Sequence, residues 1–566
     1  MLLFGEPCSP EVHQMNQLPL DTGQPRIAHN RRSLLGRWRF GWIAVLVLIA
    51  IGIAFYNLDL FNDRAISNLI CLIAIAAATL VSLSTLYRWL ALKSSRRVSG
   101  LLIFAIVLLP LAVFKFRGFS GEMTPLLEFR FASAAKLQES IAQPIEQPEL
   151  SESATTAFSQ FLGANRNAII DSREFAVPDG DEEEMWRIAI GAGWAGFAIQ
   201  QQYCVTLEQR EKLECVTCYR LSDGALLWIQ SENTRHQTPL GGTGPRSTPT
   251  IVGDLVYTQG ATGIVQCLKL ATGELVWKQN VLTLAGWQQT ESEASVTWGR
   301  AGSPLVIDRL CVIPFGRPLD AEPNSDLLAG RSLIALDAET GEVKWTAGED
   351  QISFASPVLM TLDDRQQIVS VNEATVTGHR IADGHVLWSI AWPGRSNGGA
   401  NCSSAVPVNM GGTVGNDSFL IAKGYATGCG VFTVFRRDDN WSVEERWKDN
   451  RVLKTKFTHT CVDGDVGYGL SDGTLECVRL SDGKRLWAQG RSTRYGHGQM
   501  IRVGDCLVVQ AEGGKVAFVA ATSDQFKELS SIDALREKSW NVPSIAGRYL
   551  VVRNDVEAVM YRLPAR

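Results

Sequence analysis

The residues in this chain that could perform chemistry are few, and their spacing favours structural roles. Cys215 and Cys218 form a Cys-x-x-Cys motif, which is typical of zinc and thiol redox sites. Residues three apart on a β-strand point to opposite faces, however, and no second cysteine pair has the spacing of zinc ligands. Tyr219 follows the motif, so it is not a haem-attachment sequence. We therefore interpret both cysteines as structural.

The other candidate sites are equally weak. Asp463 and Asp465 flank a glycine and could begin a metal-binding loop, but they occupy the place of residues 252–254 in a similar segment, which indicates a hairpin turn. His379 and His385 share one hairpin and would need ligands from elsewhere. The sequence contains no nucleophile elbow and no phosphate-binding loop. We predict no catalytic residue, no metal ligand and no cofactor.

The remaining cysteines leave one question open. Cys402 and Cys429 could form a disulfide if they face an oxidising compartment, but pairing does not follow from sequence alone. Four others occupy strand positions and are predicted to be buried small apolar residues, namely Cys267, Cys311, Cys477 and Cys506.

Composition separates the chain into two parts. Over 566 residues the net charge is −5, which argues against nucleic acid as the main partner, because such proteins usually carry a basic stripe. Residues 1 to about 118 are apolar and basic, whereas the rest is mixed and mildly acidic. The 51 glycines and 16 tryptophans suit an all-β fold with many turns and large packing residues.

The first part has the pattern of a membrane anchor. Three apolar runs, at 40–56, 67–87 and 100–114, contain no charged residue and approach the roughly 20 residues that a crossing needs. A cleaved signal peptide is the alternative for the first run, but two further runs follow it. Arginines and lysines precede the first run and fill the second loop, which predicts a cytoplasmic N-terminus and an extracytoplasmic C-terminal part. They are Arg31, Arg32, Arg37, Arg39, Arg88, Lys93, Arg96 and Arg97.

These patterns predict four segments. Residues 1–37 are expected to be cytoplasmic and disordered, and 38–118 to form the anchor with three transmembrane helices. Residues 119–157 are rich in Pro, Glu, Gln and Ser, which predicts a stalk or linker, with one short helix over about 126–141. Residues 158–566 form the last segment. We expect a multi-pass protein of the bacterial cytoplasmic (inner) membrane with this last segment on the periplasmic side.

The last segment contains a repeated hairpin. Five stretches read as an alternating strand, an Asp-Gly or Thr-Gly turn and a short strand that ends on Trp. Their closing residues are Trp228, Trp277, Trp345, Trp388 and Trp487. A second strand–turn–strand unit precedes each hairpin, so every unit has four strands and recurs at about 40 residues, which is typical of a propeller blade.

The number of blades follows from the degraded copies. Trp447 and Phe526 occupy closing positions in two weaker units. Trp186 lies before the first full unit, and the last unit lacks a closing strand, so the two can complete one blade. The prediction is eight blades, or seven if Phe526 is misread. Blade docking is assigned to Trp186, Trp228, Trp277, Trp345, Trp388, Trp447 and Trp487.

The stretch ALDAETGEVKW, at 335–345, resembles the pyrroloquinoline-quinone (PQQ)-type propeller repeat of quinoprotein dehydrogenases and BamB-type lipoproteins. FSQFLGANRNAI, GTGPRSTPTIVGDLVY and WGRAGSPLV further resemble a bacterial subgroup of PQQ-like proteins. The resemblance implies an eight-bladed β-propeller in which each Trp docks between blades. It also implies an alternative function, a membrane-bound quinoprotein dehydrogenase with PQQ and calcium. The adjacent cysteine pair usual in those enzymes is missing here.

The interruptions of the repeat direct attention to binding instead. The spacings from Trp277 to Trp345 and from Trp388 to Trp447 exceed the repeat period of about 40 residues, which indicates inserted loops. Loops on a rigid scaffold commonly carry function. The candidate interaction residues in these insertions are Trp287, Trp298, Arg300, Arg395 and Asn397, of which Trp298 could equally pack inside its blade. We predict a non-catalytic scaffold that binds another envelope protein, a peptide or a ligand.

Overall fold

A computed structural model describes residues 29–57, 63–131, 137–138, 158–318, 325–395, 399–408, 417–438 and 440–566. The described residues belong to two compact units. One lies within Met1–Ala54 and Cys71–Val107, and holds most of the apolar helices. The other lies within Phe55–Ile70 and Leu108–Arg566, and holds all the strands.

Three long helices form where the apolar runs predict them. They are α1 (His29–Asn57), α2 (Arg64–Lys93) and α3 (Arg96–Val113). Each is long and apolar enough to cross a membrane. Helix α1 begins inside the segment 1–37, for which disorder was expected, while residues 1–28 lie outside the described residues.

A β-hairpin follows α3 directly. Strand β1 (Phe114–Phe119) pairs antiparallel with β2 (Pro125–Phe129). This corrects the prediction that a stalk begins at residue 119 and contains a helix from about 126, because Leu127 and Phe129 alternate with polar neighbours at the period of a strand. Most of the remaining stalk, 132–136 and 139–157, lies outside the described residues.

The first blades follow in chain order, after two strands that join later sheets. Those two are β3 (Ile169–Ile170) and β4 (Glu183–Ala189). Blade 1 contains β5 (Ala198–Gln200), β6 (Tyr203–Arg210), β7 (Leu213–Arg220) and β8 (Leu226–Glu232), and the short pair β9 (Gln237–Thr238) and β10 (Gly242–Thr243) follows it. Blade 2 contains β11 (Thr250–Val252), β12 (Leu255–Gln259), β13 (Ile264–Lys269) and β14 (Leu275–Asn280), followed by helices α4 (Val281–Ala285) and α5 (Gln289–Ser295). Blade 3 contains β15 (Leu305–Ile307), β16 (Leu310–Pro314), β17 (Leu333–Asp337) and β18 (Val343–Ala347).

The remaining blades repeat the same antiparallel order. Blade 4 contains β19 (Val358–Leu362), β20 (Arg365–Val371), β21 (Thr375–His379) and β22 (Val386–Ala391). Blade 5 contains β23 (Val406–Val408), β24 (Ser418–Lys423), β25 (Gly428–Arg437) and β26 (Asn440–Asp449). Blade 6 contains β27 (Cys461–Asp463), β28 (Val466–Ser471), β29 (Thr474–Arg479) and β30 (Arg485–Ala488). Blade 7 contains β31 (Gln499–Val503), β32 (Cys506–Gln510), β33 (Lys515–Ala520) and β34 (Glu528–Asp533), and blade 8 contains β35 (Ser544–Ala546), β36 (Tyr549–Arg553) and β37 (Glu557–Arg562).

The prediction of eight blades is confirmed, and the ring closes as expected. Strand β4 joins β37 as the fourth strand of blade 8, with Trp186 opposite Met560. Strand β3 adds to blade 7 by pairing in parallel with β31. The last blade therefore combines strands from the beginning and the end of the propeller sequence.

Most closing tryptophans contact the next blade through one recurrent hydrogen bond. The indole N–H donates to the backbone carbonyl of the residue three positions before the turn glycine of the next blade. The donor–acceptor pairs are Trp186–Leu221, Trp228–Leu270 and Trp277–Ala338 at 2.8 Å, Trp345–Ile381 at 3.1 Å, and Trp447–Leu480. Trp487 makes the equivalent bond to Thr522 at 2.8 Å. One side chain thus fills the gap between blades and satisfies a turn carbonyl.

Two junctions differ from this rule. Blade 5 has a long hairpin without the glycine turn, so the Trp388 N–H donates to Gln367 of its own blade at 2.7 Å, while its ring stacks on Phe419 of blade 5. In blade 7 the closing position belongs to Ser530, which pairs with Phe518 as the tryptophans pair in other blades. The assignment of Phe526 to that position was wrong, because the turn after β33 is longer and leaves Phe526 against Trp487.

The turn glycines and the docked tryptophans depend on each other. Gly341 has φ +75°, and a Cβ there would lie 2.7 Å from the Trp277 ring. Gly253 has φ +62° but no atom within 4 Å of such a Cβ. We expect Gly253→Ala to lower the free energy of unfolding by about 1 kcal/mol, the conformational cost alone. Gly341→Ala should cost roughly 1–3 kcal/mol more, because overpacking adds to it.

The comparison is made on the full-length chain in detergent by urea unfolding, followed by tryptophan fluorescence. Equal losses for the two variants would contradict the proposed contact between the turn glycine and the docked tryptophan.

Candidate axial binding site

The segments that precede the innermost strands meet around the propeller axis. An innermost strand has no neighbouring strand on its axial side, so the backbone N–H groups before it need side-chain acceptors. In blades 1 to 5 the N–H two residues before the innermost strand donates to a side chain of the next blade over 2.9–3.2 Å. The successive pairs are Gly196–Thr248, Thr248–Ser303, Ser303–Ser356, Ser356–Ser404 and Ser404–His459. Blade 8 returns to blade 1 through Asn541, whose amide donates to the Ala195 carbonyl at 2.8 Å.

Residues 158–170 form a plug at one end of the axis. The Arg166 guanidinium donates to the carbonyls of Ser303 and Pro304 in blade 3, at 2.9 and 2.8 Å. The Phe161 ring packs edge-on against His459 of blade 6, and Ile169 pairs with blade 7. The plug therefore contacts blades from several sides of the ring and is the floor of the space above it.

The hairpin tip, residues 119–124, forms a lid at the other end. The Gly121 N–H donates to Glu512 at 2.5 Å, and a Cβ on Gly121 would lie 2.6 Å from the His497 ring, so the tip fits only as glycine. The buried Glu122 carboxylate pairs with Arg494 of the propeller. The tip is thus inserted among side chains of blades 6 and 7 rather than lying on them.

The loop before α2 completes the lid. The Asp63 carboxylate accepts a hydrogen bond at 3.0 Å from the ammonium of Lys456, which is almost fully buried. Asn68, in the first turns of α2, donates to the Glu122 carbonyl at 2.7 Å, which connects the start of this helix to the hairpin tip. Two segments that are adjacent to the apolar helices therefore cover the same end of the axis.

Between plug and lid lies a cavity of about 290 Å³. Its walls are mainly aromatic, and the rings belong to Trp194, Trp298, Trp540, Phe161, Phe354, Phe457, Tyr425 and Phe119. Its polar lining includes Arg246, Lys456, His459, Gln499 and Cys402, and no carboxylate belongs to the lining in the described part of the chain. The lining thus combines apolar surface with positive charge, which suits an apolar group that carries a negative end.

The protonation states follow from burial and hydrogen bonding. Burial lowers the pKa of Arg246 to about 10, so its guanidinium stays charged at neutral pH, and it donates to the carbonyls of Gly241 and Gly244. Burial lowers the pKa of His459 to about 3, so its ring is neutral and its Nδ1 accepts the Ser404 N–H. Arg246 is therefore a fixed positive charge in the cavity, whereas His459 contributes none.

A third cation lies beside the cavity rather than among its lining residues. The Lys538 ammonium is 3.8 Å from the centre of the Trp540 ring and 5.0 Å from that of Trp194, a cation–π arrangement. It donates at 2.8 Å to the Phe119 carbonyl of the lid, and burial lowers its pKa to about 8. Lys538 thus connects two aromatic walls with the hairpin.

The structure places the residues predicted as interaction anchors in different environments. Trp298 lines the axial cavity beside Phe354, with ring centres 5.1 Å apart. Arg300 is 1 % exposed and donates to the Phe315 carbonyl and, at 3.3 Å, to that of Gly316, so it stabilises blade 3 and is inaccessible to a partner. Trp287 also donates to the Gly316 carbonyl and borders a second, polar cavity. Arg395 is exposed on its loop, and Asn397 lies outside the described residues.

The cysteines are all free thiols in the described part of the chain. Cys402 lines the axial cavity and Cys429 lies in the core of blade 5, so the two are not paired. Burial raises the pKa of Cys402 to about 12, which keeps its thiol protonated and poorly reactive.

PQQ with calcium does not fit this lining. Calcium is held by several oxygen ligands, carboxylates above all, and the described residues that line the cavity include no carboxylate. In the described residues no three His, Cys, Asp or Glu side chains converge as metal ligands. The aromatic walls could stack on a flat ring, but the donor set for the metal is lacking.

The geometry defines a class of protein, an eight-bladed propeller of PQQ-like repeats with a covered axial cavity. The sequence profile of a family described as outer membrane protein assembly factor BamB matches residues 177–317 and 212–489. The two matches together span more than half of the chain, which therefore belongs to this PQQ-like propeller family. No curated protein matches the sequence significantly.

The chain is similar to solved structures at low sequence identity. Quinohemoprotein alcohol dehydrogenase from Comamonas testosteroni is 12% identical, with a TM-score of 0.53 over 74% of this chain and 82% of that one. BamB from Moraxella catarrhalis is 14% identical, with a TM-score of 0.46 over 69% of this chain and 98% of that one. At such identities the likeness to the dehydrogenase concerns the fold alone.

Sequence reasoning missed most residues of the cavity. The hydroxyl groups that accept hydrogen bonds around the axis had a signal in the sequence, because Ser-Thr-Pro or Ser-Pro precedes the innermost strand at 247–249, 303–304 and 356–357. The plug also had one, since FSQFLGANRNAI stands outside the repeat. The lid had none, because a contact such as that between Glu122 and Arg494 spans several hundred residues.

The lid offers a direct test through Cys402. Replacing Glu122 by Ala removes the partner of Arg494, so we expect the lid to open more often and the Cys402 thiol to react at least about tenfold faster with a small maleimide. Peptide mass spectrometry of the full-length chain measures the rate. Glu128→Ala is the matched control, because Glu128 pairs with Lys115 at the far end of the same hairpin and should leave the rate unchanged. An unchanged rate in Glu122→Ala would show that this ion pair does not hold the lid.

Proposed function

We propose that this chain is a membrane-anchored, extracytoplasmic binding scaffold without catalytic activity, and that it binds its partner through the axial cavity. In this proposal residues 38–118 anchor the chain in the bacterial cytoplasmic membrane, and the propeller of 158–566 faces the periplasm. The partner is an envelope protein or peptide that presents an apolar, negatively charged group. The observation that carries the proposal is the aromatic cavity with the Arg246 cation and no carboxylate among its described lining residues. Lys456, the other lining cation, is already paired with Asp63.

The position of charges supports the orientation. The turn between α2 and α3 is flanked by Arg88, Lys93, Arg96 and Arg97, whereas residues 57–66, between the first two apolar runs, carry Asp59, Asp63 and only Arg64. Lys115 and Arg117 follow α3, and positive charges at that position favour a cytoplasmic location. Both are ion-paired, Lys115 with Glu128 at 3.2 Å and Arg117 with Asp555 at 2.9 Å, so they add little to the cytoplasmic bias.

The lid contacts support an odd number of crossings. The loop before α2 and the hairpin after α3 both contact the propeller, through Asp63 and Glu122. If α2 and α3 each cross the bilayer, the chain crosses and returns between these two segments, which leaves both on one side as the contacts require. The crossing by α1 then makes the total odd.

Reporter fusions test the orientation. Alkaline phosphatase fused after Ser120 should be active, because it folds only in the periplasm, and the same enzyme fused after Lys93 should be inactive. The reverse pattern would place the propeller in the cytoplasm and contradict this part of the proposal.

A pair of probes tests the cavity. 2-Naphthoate and 2-naphthamide share two fused aromatic rings and differ in charge. We expect naphthoate to bind about tenfold more tightly, since a charge-assisted hydrogen bond adds roughly 1.4 kcal/mol. Isothermal titration of the full-length chain in lipid nanodiscs measures both affinities, with empty nanodiscs as the background.

The variant Arg246→Met should remove the preference for naphthoate while leaving naphthamide binding similar, because it keeps the apolar stem and loses the charge. Binding of neither probe above the nanodisc background, or equal binding of both to the unchanged chain, would contradict the proposed cavity chemistry.

A further inference from the structure

The β1–β2 hairpin has one apolar face that no described protein residue covers. Cross-strand pairing sets Phe114 opposite Phe129 and Phe116 opposite Leu127, and the strand period places all four on one face. These side chains are exposed, Phe116 by 53 % and Leu127 by 64 %. Such a contiguous apolar face on a short hairpin indicates an interaction site.

The rest of the hairpin is attached firmly to the propeller. Arg117, at the bulge of β1, pairs with Asp555 at 2.9 Å and with Glu537 at 3.0 Å. At the tip, Lys538 donates to the Phe119 carbonyl and Gly121 donates to Glu512. The hairpin therefore keeps a defined position on blades 7 and 8 while its apolar face points away.

The same hairpin is also joined to the end of α3. The Arg130 N–H donates to the Val113 carbonyl at 2.9 Å, and its guanidinium donates to the carbonyls of Leu111 and Phe114 at 3.0 and 3.1 Å. These bonds satisfy the last carbonyls of the helix and hold β2 level with its final turn.

The length of α3 fixes the depth of that turn. Its 18 residues rise about 27 Å, slightly less than the roughly 30 Å of the hydrocarbon core. If α3 crosses the bilayer, its last turn ends at the boundary between acyl chains and headgroups. The rings of Phe114, Phe129 and Phe131, which contact one another edge-on, lie at the same level.

We propose that the apolar face of this hairpin lies in the interfacial region of the bilayer, so that the occupant of the face is lipid. Aromatic side chains are enriched at this depth, and basic residues beside them reach toward the headgroups. A second copy of the chain is a poorer occupant, since one face of a two-stranded hairpin is small against the area that a stable dimer buries. The proposal rests on the membrane anchorage of the proposed function.

This position has a consequence for the axial cavity. The hairpin carries the lid, and Leu240, 43 % exposed, lines the cavity beside it. The lid end of the propeller axis is therefore held at the membrane surface by a folded element and not by a free tether. A ligand that reaches the cavity past the lid comes from the lipid interface.

Photo-crosslinking in membranes tests the proposal. The photoreactive residue p-benzoylphenylalanine is introduced singly at Phe116 or Leu127 in the full-length chain, in membranes of the expressing bacterium. We expect lipid adducts, seen by mass spectrometry of the crosslinked peptide. The matched control positions Lys115 and Glu128 lie on the opposite face of the same strands and should give at least fivefold fewer lipid adducts.

A fifth position separates this inference from the anchorage on which it rests. Leu109 lies on the exposed surface of α3, and a crosslinker there reports whether that helix is in lipid at all. Lipid adducts at Leu109 with none at Phe116 and Leu127 would overturn the interfacial hairpin alone. Adducts from Phe116 to a second copy or to another protein would overturn it in favour of that occupant. No lipid adduct at Leu109 would overturn the anchorage and the inference together.

Discussion

The pairing of β4 with β37 is the interaction on which the rest of the structure depends. It joins residues 183–189 to residues 557–562 and so converts a row of sheets into a ring. Without it two blades would present open edges, and the blades between them would lose the closed surface that buries their faces. Arg553 strengthens the junction from within, since its buried guanidinium donates to Thr206, to the Leu207 carbonyl and to the Gly191 carbonyl of the neighbouring blade.

A closed ring of repeats leaves an open axis, and this chain fills it with segments that are not repeats. The plug of residues 158–170 and the lid from the hairpin close the two ends, so the cavity is bounded by unique residues above and below and by the repeat around its walls. The walls themselves are not equivalent: the position four residues before the innermost strand is Arg246 in blade 2, Cys402 in blade 5 and Phe457 in blade 6. The repeated residues that stabilise the blades are thus replaced by different residues at the cavity wall. Those differences would determine which ligand is bound.

The repeat could be predicted from sequence because its determinants are local. In the five clear hairpins the Trp lies four residues after a turn glycine and an acceptor carbonyl lies three before that glycine, so a single period establishes blades and docking together. The assignment of Phe526 was wrong because a longer turn moved the closing position to Ser530. The pairing register cannot be read from spacing once the turn length changes. The hairpin at 114–129 was not predicted, because the polar composition of the segment from residue 119 suggested a linker, whereas the alternation of its residues indicated strands. The prediction that Arg300 is an interaction residue was wrong. Its residue type suits an interface, and only the fold shows that its donors point inward.

The lid and the ring are held by different forces, and this makes the lid the weaker contact. Apolar burial and main-chain pairing hold the ring. The lid depends on buried charges, with Glu122 beside Arg494 and Asp63 beside Lys456. Burial raises the pKa of Glu122 despite its neighbour Arg494, so the desolvation of this carboxylate outweighs the attraction to its partner. Such pairs define where a segment docks more than they stabilise it. The lid can therefore separate from the axis at a small cost compared with opening the ring, and the cavity can be reached without unfolding a blade.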